Sequence, residues 1–220
     1  MSHLLEVDSI ILEFGSKRVL QDVYIKCETG KITGLLGLNG SGKTCLLNVI
    51  FGEIAINDKS IRLDGRVLYE SYRNPADFRY LPQFSFTPKS LTIKRIFKDF
   101  NLDFNSFIID FPEFKKYYRS RFGKLSGGEQ RLVEVYVILK SKTKVCMLDE
   151  PFSQIMPVHV ESIKKIMSSE RKHKGFIVTD HLYKHVTEIC NDLYVISHGK
   201  TYLTHGVEEL KRLGYLNWSS

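Results

Sequence analysis

The chain has 220 residues, 43% of them hydrophobic, and a formal charge of +7 from 32 basic against 25 acidic side chains. Its length allows one large domain, or a core with a small subdomain, and its apolar share is enough to bury a real core. No apolar run approaches the ~18–20 residues of a membrane span, so any work at a membrane needs another chain to supply the spanning helices. The positive excess suits a polyanion, an anionic membrane face or nucleic acid. The lysines are scattered, however, with no run of five, as on an ordinary solvated surface.

Alternating apolar residues mark strands at about 4–12 and 20–27. The apolar stretch Lys31–Leu36 is a short strand that runs directly into the glycine-rich loop Gly37-Leu38-Asn39-Gly40-Ser41-Gly42-Lys43-Thr44. Residues 42–52 follow as a helix, with Leu46, Leu47, Val49 and Ile50 available for burial. Asp64-Gly65 is a hairpin signal between Ser60–Leu63 and Arg66–Tyr69. From about 84 to 125 the character changes, with Pro88, Pro112, many aromatics and helical patches near 92–100 and 112–121. This is expected to be an inserted helical subdomain. Helix 127–141, strand 144–149, helix 157–170, strand 175–179, helix 181–190 and strand 192–197 then alternate, which implies a parallel sheet. A strand near 200–205 and a helix at 207–213 close the chain.

Cys27, Cys45, Cys146 and Cys190 contain no C-x-x-C pair of a zinc or redox site. Cys146 lies in an apolar run and Cys45 just behind the glycine loop, and both are expected to be small buried hydrophobes in a reducing, cytoplasmic compartment. The first residues, Met1–Glu6, carry no signal-peptide pattern.

Three stretches carry chemistry. The loop at 37–44 fits G-x-x-x-x-G-K-[ST] between a strand and a helix. Gly40 and Gly42 let the backbone curl so that its N–H groups face phosphate oxygens, and the helix dipole adds positive potential. Asn39, Gly40, Ser41, Gly42, Lys43 and Thr44 are therefore the candidate nucleotide ligands. Lys43 would reach the β and γ phosphates, and Thr44 would hold Mg²⁺. The apolar strand Val145-Cys146-Met147-Leu148 ends in Asp149-Glu150. Asp149 would face the phosphate site at the strand's C-terminal end and hold Mg²⁺ through water. Glu150, one residue further, is placed to take a proton from attacking water. Third, Leu125-Ser126-Gly127-Gly128-Glu129-Gln130-Arg131 is a helix start that offers bare backbone N–H groups to an anion.

Gly37–Thr44 resembles the Walker A motif of the ATP-binding subunits of ABC transporters. Leu125–Gln130 resembles their LSGGQ-type signature, with Glu129 where many members carry glutamine, and Val145–Asp149 with Glu150 resembles their Walker B motif and its catalytic glutamate. The three follow in the family's order along the chain. The similarity spans nearly the whole chain. It implies a single α/β domain over 1–220: a P-loop NTPase core with a mostly parallel sheet, an antiparallel β region near the N-terminus, and an inserted α-helical subdomain at 84–125. Further roles follow from the resemblance alone. Phe14 would stack on adenine. Gln83, in Tyr80-Leu81-Pro82-Gln83, would contact Mg²⁺ and the attacking water and join the core to the helical subdomain. His181, in Val178-Thr179-Asp180-His181, would contact the γ-phosphate. Ser126, Gly127 and Gly128 would contact the ATP held by a second subunit. The other six histidines are expected to be structural or on the surface.

The resemblance thus implies an ATPase that uses ATP and Mg²⁺ and pairs with a second ATP-binding subunit, identical or closely related. It would sit on the cytoplasmic face of the membrane by way of a membrane-spanning partner. The helical subdomain would receive that partner, with Phe84, Phe86, Phe97 and Phe100 as candidate contacts, although most of these are expected in the subdomain's own core. Nucleic acid is not an expected partner. The Tyr80–Gln83 and Thr179–His181 stretches are similar to the lipopolysaccharide-export and branched-chain amino-acid branches, without naming a substrate. The departure from the family is Met156, which stands where an aspartate usually organises contact between two subunits. Either coupling between sites is built differently, or Ser153 and backbone groups do that work while Met156 packs. Two other readings stay open: a soluble ATPase of the same family acting on nucleic acid or ribosomes, and a regulatory subunit of low turnover.

Overall fold

The computed structural model describes residues 2–69, 74–204 and 206–215. Its centre is a six-stranded sheet containing β5 (Ile32–Gly37), β8 (Phe78–Leu81), β9 (Val145–Asp149), β10 (Gly175–Thr179), β11 (Asp192–Ser197) and β12 (Lys200–Thr204). The spatial order is β12-β11-β5-β10-β9-β8. Every pairing is parallel except β11 with β12. A second, antiparallel sheet has the order β4-β1-β6-β7, formed by β1 (Leu4–Asp8), β4 (Tyr24–Glu28), β6 (Ser60–Leu63) and β7 (Arg66–Val67). The short pair β2 (Leu12–Phe14) and β3 (Lys17–Leu20) stands apart from both. The expected architecture, an α/β core with a mostly parallel sheet and an antiparallel region, is borne out.

The central strands read as unbroken apolar runs because both faces of the sheet are covered. Successive residues serve two different cores. Cys146 and Leu148 of β9 face one, with Phe176 and Val178 of β10. Met147 of β9 and Ile177 of β10 face the other, with Leu35 of β5. The first core lies under α4 (Gly127–Lys140), α5 (Pro157–Glu170) and the 91–125 region. The second is closed by the antiparallel sheet and α1 (Lys43–Phe51), through the expected Leu46, Leu47, Val49 and Ile50. Cys146 is buried as expected, whereas Cys45 is half-buried at the edge of the phosphate loop.

Several boundaries differ from the sequence expectation. The strand expected at 4–12 divides into β1 and β2, because Ser9 takes a left-handed φ of 55° and turns the chain. The strand expected at 20–27 likewise divides into β3 and β4, with Asp22 at φ 51°. The hairpin at Asp64-Gly65 is present with φ 55° and 76°, although its second strand stops at Val67. Position 205, at the end of the expected last strand, lies outside the described residues. Besides a single 3₁₀ turn at Phe122–Lys124, two elements were not anticipated. One is β8, a four-residue edge strand interrupted by Arg79. The other is α3 (Phe104–Asp110), which Asp103 caps by accepting from the Asn105 amide at 2.9 Å. The patch near 112–121 is a 3₁₀ helix over Pro112–Tyr117 rather than an α-helix.

Between 91 and 125 the elements α2 (Ile93–Asp99) and α3 pack on an aromatic cluster. Phe107 lies at its centre, with ring centroids 4.7 Å from Tyr136, 5.0 Å from Phe114, 5.2 Å from Phe97 and 5.2 Å from Phe111. Tyr136 belongs to α4, and Phe111 also meets His159 of α5 with ring centroids 5.5 Å apart, so this region is continuous with the first core. Phe97 is buried here, Phe86 and Phe84 are exposed, and Phe100 is partly buried. Because Phe107 is fully enclosed, Phe107→Ala should lower the unfolding free energy by about 3–5 kcal/mol. Urea denaturation followed by circular dichroism measures this, and an unchanged midpoint would remove Phe107 from the centre of the packing.

Candidate active site

The parallel strands deliver their last residues to one edge, where ligands of such sheets collect. Register decides what meets there. Leu81 of β8 pairs with Leu148 of β9, and Thr179 of β10 pairs with Asp149. Gln83, two residues past Leu81, is therefore level with Glu150, two past Leu148. Asp180 and His181 follow β10 on the other side. The result is a contact triad: Glu150 Oε1 accepts from Gln83 Nε2 at 3.1 Å and lies 2.5 Å from His181 Nε2. Glu150 is buried with a left-handed φ of 53°, and its amide donates to the Thr179 carbonyl at 3.0 Å. Such a conformation costs a non-glycine residue energy and is kept where its surroundings over-determine it.

Asp149 is 0% exposed. Thr44 Oγ1 and Tyr80 Oη donate to its Oδ2 at 2.7 and 3.4 Å, and Thr179 Oγ1 donates to its Oδ1 at 2.6 Å. Burial raises the Tyr80 phenol far above its usual range, reinforced by the Asp149 charge, so Tyr80 remains a donor. Asp180 ties the neighbouring loops together, accepting from the Leu182 amide at 2.9 Å and the Phe152 amide at 3.2 Å. Burial raises its carboxyl, and those two amides partly offset the effect.

The phosphate loop is built as its glycines require. Gly40 and Gly42 have φ of 74° and 105°, and Gly42 caps the start of α1. A Cβ at Gly42 would also stand 2.9 Å from Leu20 Cδ2. Lys43 is buried and donates from Nζ to the carbonyls of Gly37 at 2.7 Å and Leu38 at 3.2 Å. Burial lowers its pKa below the ordinary lysine value, against the pull of Asp149 and Glu150. A cleft of about 520 Å³ is lined by Phe14, Asn39, Gly40, Gly42, Lys43, Thr44, Gln83, Glu150 and His181. Phe14 is 55% exposed at its rim, so it is not a core aromatic.

Ser126 caps α4 in a reciprocal box: its Oγ accepts from the Glu129 amide at 3.3 Å, and its own amide donates to Glu129 Oε2 at 2.7 Å. Ser126 and Gly127 are exposed, and Gly128 is half-buried. None of the three lines the cleft around Lys43. A Cβ at Gly128 would stand 2.5 Å from the Gln154 carbonyl oxygen, so that position admits only glycine without moving the loop before α5. Met156, at the start of α5, is 56% exposed.

Sequence reasoning missed the groups that hold the site together. Tyr80, Thr179, Asp180, Arg131 and Glu134 were visible only as neighbours of recognised motifs. Their shared signal is polarity at strand ends, or on a helix otherwise apolar, which is weak until the partners are known.

A phosphate loop, an acidic strand end and a second glycine-rich helix start, assembled on one parallel sheet, define a P-loop ATPase. A family model described as ABC transporter matches residues 20–153. The chain is 30% identical to the lipopolysaccharide export system ATP-binding protein LptB of Haemophilus influenzae, covering 94% of this chain and 92% of that protein. It is 27% identical to the high-affinity branched-chain amino acid transport ATP-binding protein BraG of Pseudomonas aeruginosa, over 90% of each. Among solved structures, an ATP-binding subunit of an ABC transporter superposes with a TM-score of 0.80 at 20% identity, covering 97% of this chain and 95% of that one. A bacterial Atm1-family ABC exporter with ATP bound gives 0.81 at 18% identity, covering 96% of this chain and 40% of the longer one. These structural likenesses carry the fold. The chain belongs to the ABC transporter family, and it is an ATP-binding subunit of the ATP-hydrolysing kind.

Thr179→Val keeps the side-chain shape but leaves buried Asp149 Oδ1 without its donor, so it should cost about 1–3 kcal/mol of stability. Chemical denaturation reads this directly, and a loss near zero would show that the contact does not support Asp149.

Proposed function

We propose that this chain hydrolyses Mg²⁺-bound ATP with Glu150 as general base, as one of two ATP-binding subunits that drive substrate movement through a separate membrane-spanning subunit. The observation that carries the reading is the Glu150 carboxylate, held between Gln83 and His181 at the rim of the cleft that Lys43 and Thr44 line. Glu150 takes the proton of the attacking water, Gln83 orients that water, and His181 contacts the γ-phosphate. Lys43 and the loop amides of Asn39–Thr44 bind the phosphates, and Phe14 supplies an exposed ring face for the adenine.

The oxygen donors suit Mg²⁺. Thr44 Oγ1 and the Asp149 carboxylate lie 2.7 Å apart, and Gln83 adds a side-chain carbonyl. Mg²⁺ is commonly held by one or two protein oxygens together with substrate phosphates and water. Thr44, Asp149 and Gln83 would hold it, and it would neutralise phosphate charge.

A second ATP-binding subunit is supported by the position of the signature residues. Ser126 and Gly127 face outward, away from the chain's own cleft, so they are free to meet a nucleotide held elsewhere. Exposed Met156 then gives that meeting of subunits an apolar contact in place of a carboxylate. Among the described residues no helix is long and apolar enough to cross a membrane. Work on the cytoplasmic face of a membrane therefore rests on a partner chain. Exposed Phe84 and Phe86 on the helical side are apolar candidates for that partner's contact.

Glu150→Gln should lower kcat for ATP hydrolysis by about 10²–10⁴-fold while ATP still binds, and should accumulate an ATP-bound dimer on gel filtration. A variant that hydrolyses ATP at the wild-type rate would overturn the assignment of the base. Stimulation of the wild-type chain by nucleic acid, and not by a membrane partner recovered with it, would favour action on nucleic acid.

A further inference from the structure

The segment that carries Gln83 is held at both ends by one helix. Arg131 and Glu134 lie one turn apart on α4 and both are buried. Arg131 Nη1 donates to the Pro82 carbonyl at 2.7 Å, immediately before Gln83. Its Nη2 donates to the carbonyls of Asp149 at 2.7 Å and Glu150 at 3.1 Å. Beyond Gln83, Glu134 Oε1 accepts from Ser85 Oγ at 2.7 Å and from the amides of Phe86 and Thr87 at 3.0 Å each. Phe84, between the two anchors, is 79% exposed and gives the segment little packing of its own.

Burying a guanidinium and a carboxylate is costly unless their hydrogen bonds are well made. Burial lowers the Arg131 pKa, and Glu134 is the strongest opposing charge. Both side chains direct their hydrogen bonds to the segment 82–87 and to the end of β9, and an apolar pair could not do so. One guanidinium thereby fixes the backbone beside Gln83 and the backbone of Glu150 together, which sets the separation of the two side chains.

Resting on the function proposed above, we infer that Arg131 and Glu134 are positioning residues for ATP hydrolysis: they form a bracket that holds the Gln83 amide on Glu150 Oε1. The bracket acts on the catalytic step and not on nucleotide affinity, because neither residue lines the nucleotide cleft.

The test pairs kinetics with amide exchange. Glu134→Gln keeps the shape but replaces a charged acceptor by a neutral one, and charge-assisted hydrogen bonds are roughly twice as strong as neutral ones. It should lower kcat about tenfold with KM for ATP held within about twofold. Gln83→Ala combined with Glu134→Gln should be no slower than Gln83→Ala alone, since the second change acts through the first. Arg131→Lys keeps the charge but cannot bridge Pro82 to the Asp149 and Glu150 carbonyls, and it should show the same split between kcat and KM. Hydrogen exchange at Phe86 and Thr87 reads the bracket without turnover, and Glu134→Gln should speed it about tenfold. Unchanged exchange, a wild-type kcat in Glu134→Gln, or further slowing in the absence of Gln83 would each overturn the bracket. A wild-type chain that hydrolyses no ATP would overturn the functional reading instead, and exchange would still decide whether the bracket exists.

Discussion

Asp149 is a fully buried carboxylate, and the site depends on how its charge is satisfied. Its three hydroxyl donors come from three elements: Thr44 from α1, Tyr80 from β8 and Thr179 from β10. An uncompensated charge at this depth would cost several kcal/mol. Satisfying it locks the phosphate-loop helix to the ends of three parallel strands. The same contacts that make the residue affordable in the interior also set the distance between the phosphate loop and the acidic strand end.

From that lock the rest of the edge follows by register. With β8 and β10 flanking β9, the residues just past their ends fall beside Glu150. Its left-handed backbone directs one carboxylate oxygen toward donors from both sides. Glycine at 150 would relieve the strained φ and would also remove the carboxylate, so the strain accompanies that side chain. Helix α4 serves two directions at once. Its capped start presents Ser126 and Gly127 outward, and one and two turns deeper Arg131 and Glu134 grip the Gln83 segment. A displacement of α4 therefore reaches the backbone beside Gln83 and at Glu150 through hydrogen bonds already in place.

The sequence shows local motifs well and long-range pairing poorly. Lys31–Leu36 running into glycines is a strand and a loop on composition alone, and β5 with α1 followed. By contrast β8 is four residues long and carries Arg79, so nothing local separates it from a loop. Only its pairing with β9 makes it a strand. Helix α3 is short, and its signal, Asp103 before Phe104, Phe107 and Ile108, is obscured by aromatics on every side. Met156 was visible as a departure from the family pattern, but its exposure was not, because burial depends on what packs above it.

By itself the sequence determined the family, the phosphate loop, the acidic strand end and the capped glycine start. Each is written in contiguous residues whose spacing fixes local backbone geometry. The tertiary structure decided which side chains complete the site. Tyr80 and Thr179 became donors to Asp149, and Arg131 and Glu134 became the grip on Gln83, through contacts between residues 18 to 69 positions apart. No local pattern encodes such contacts, since strand order and register bring those residues together only when the parallel sheet forms.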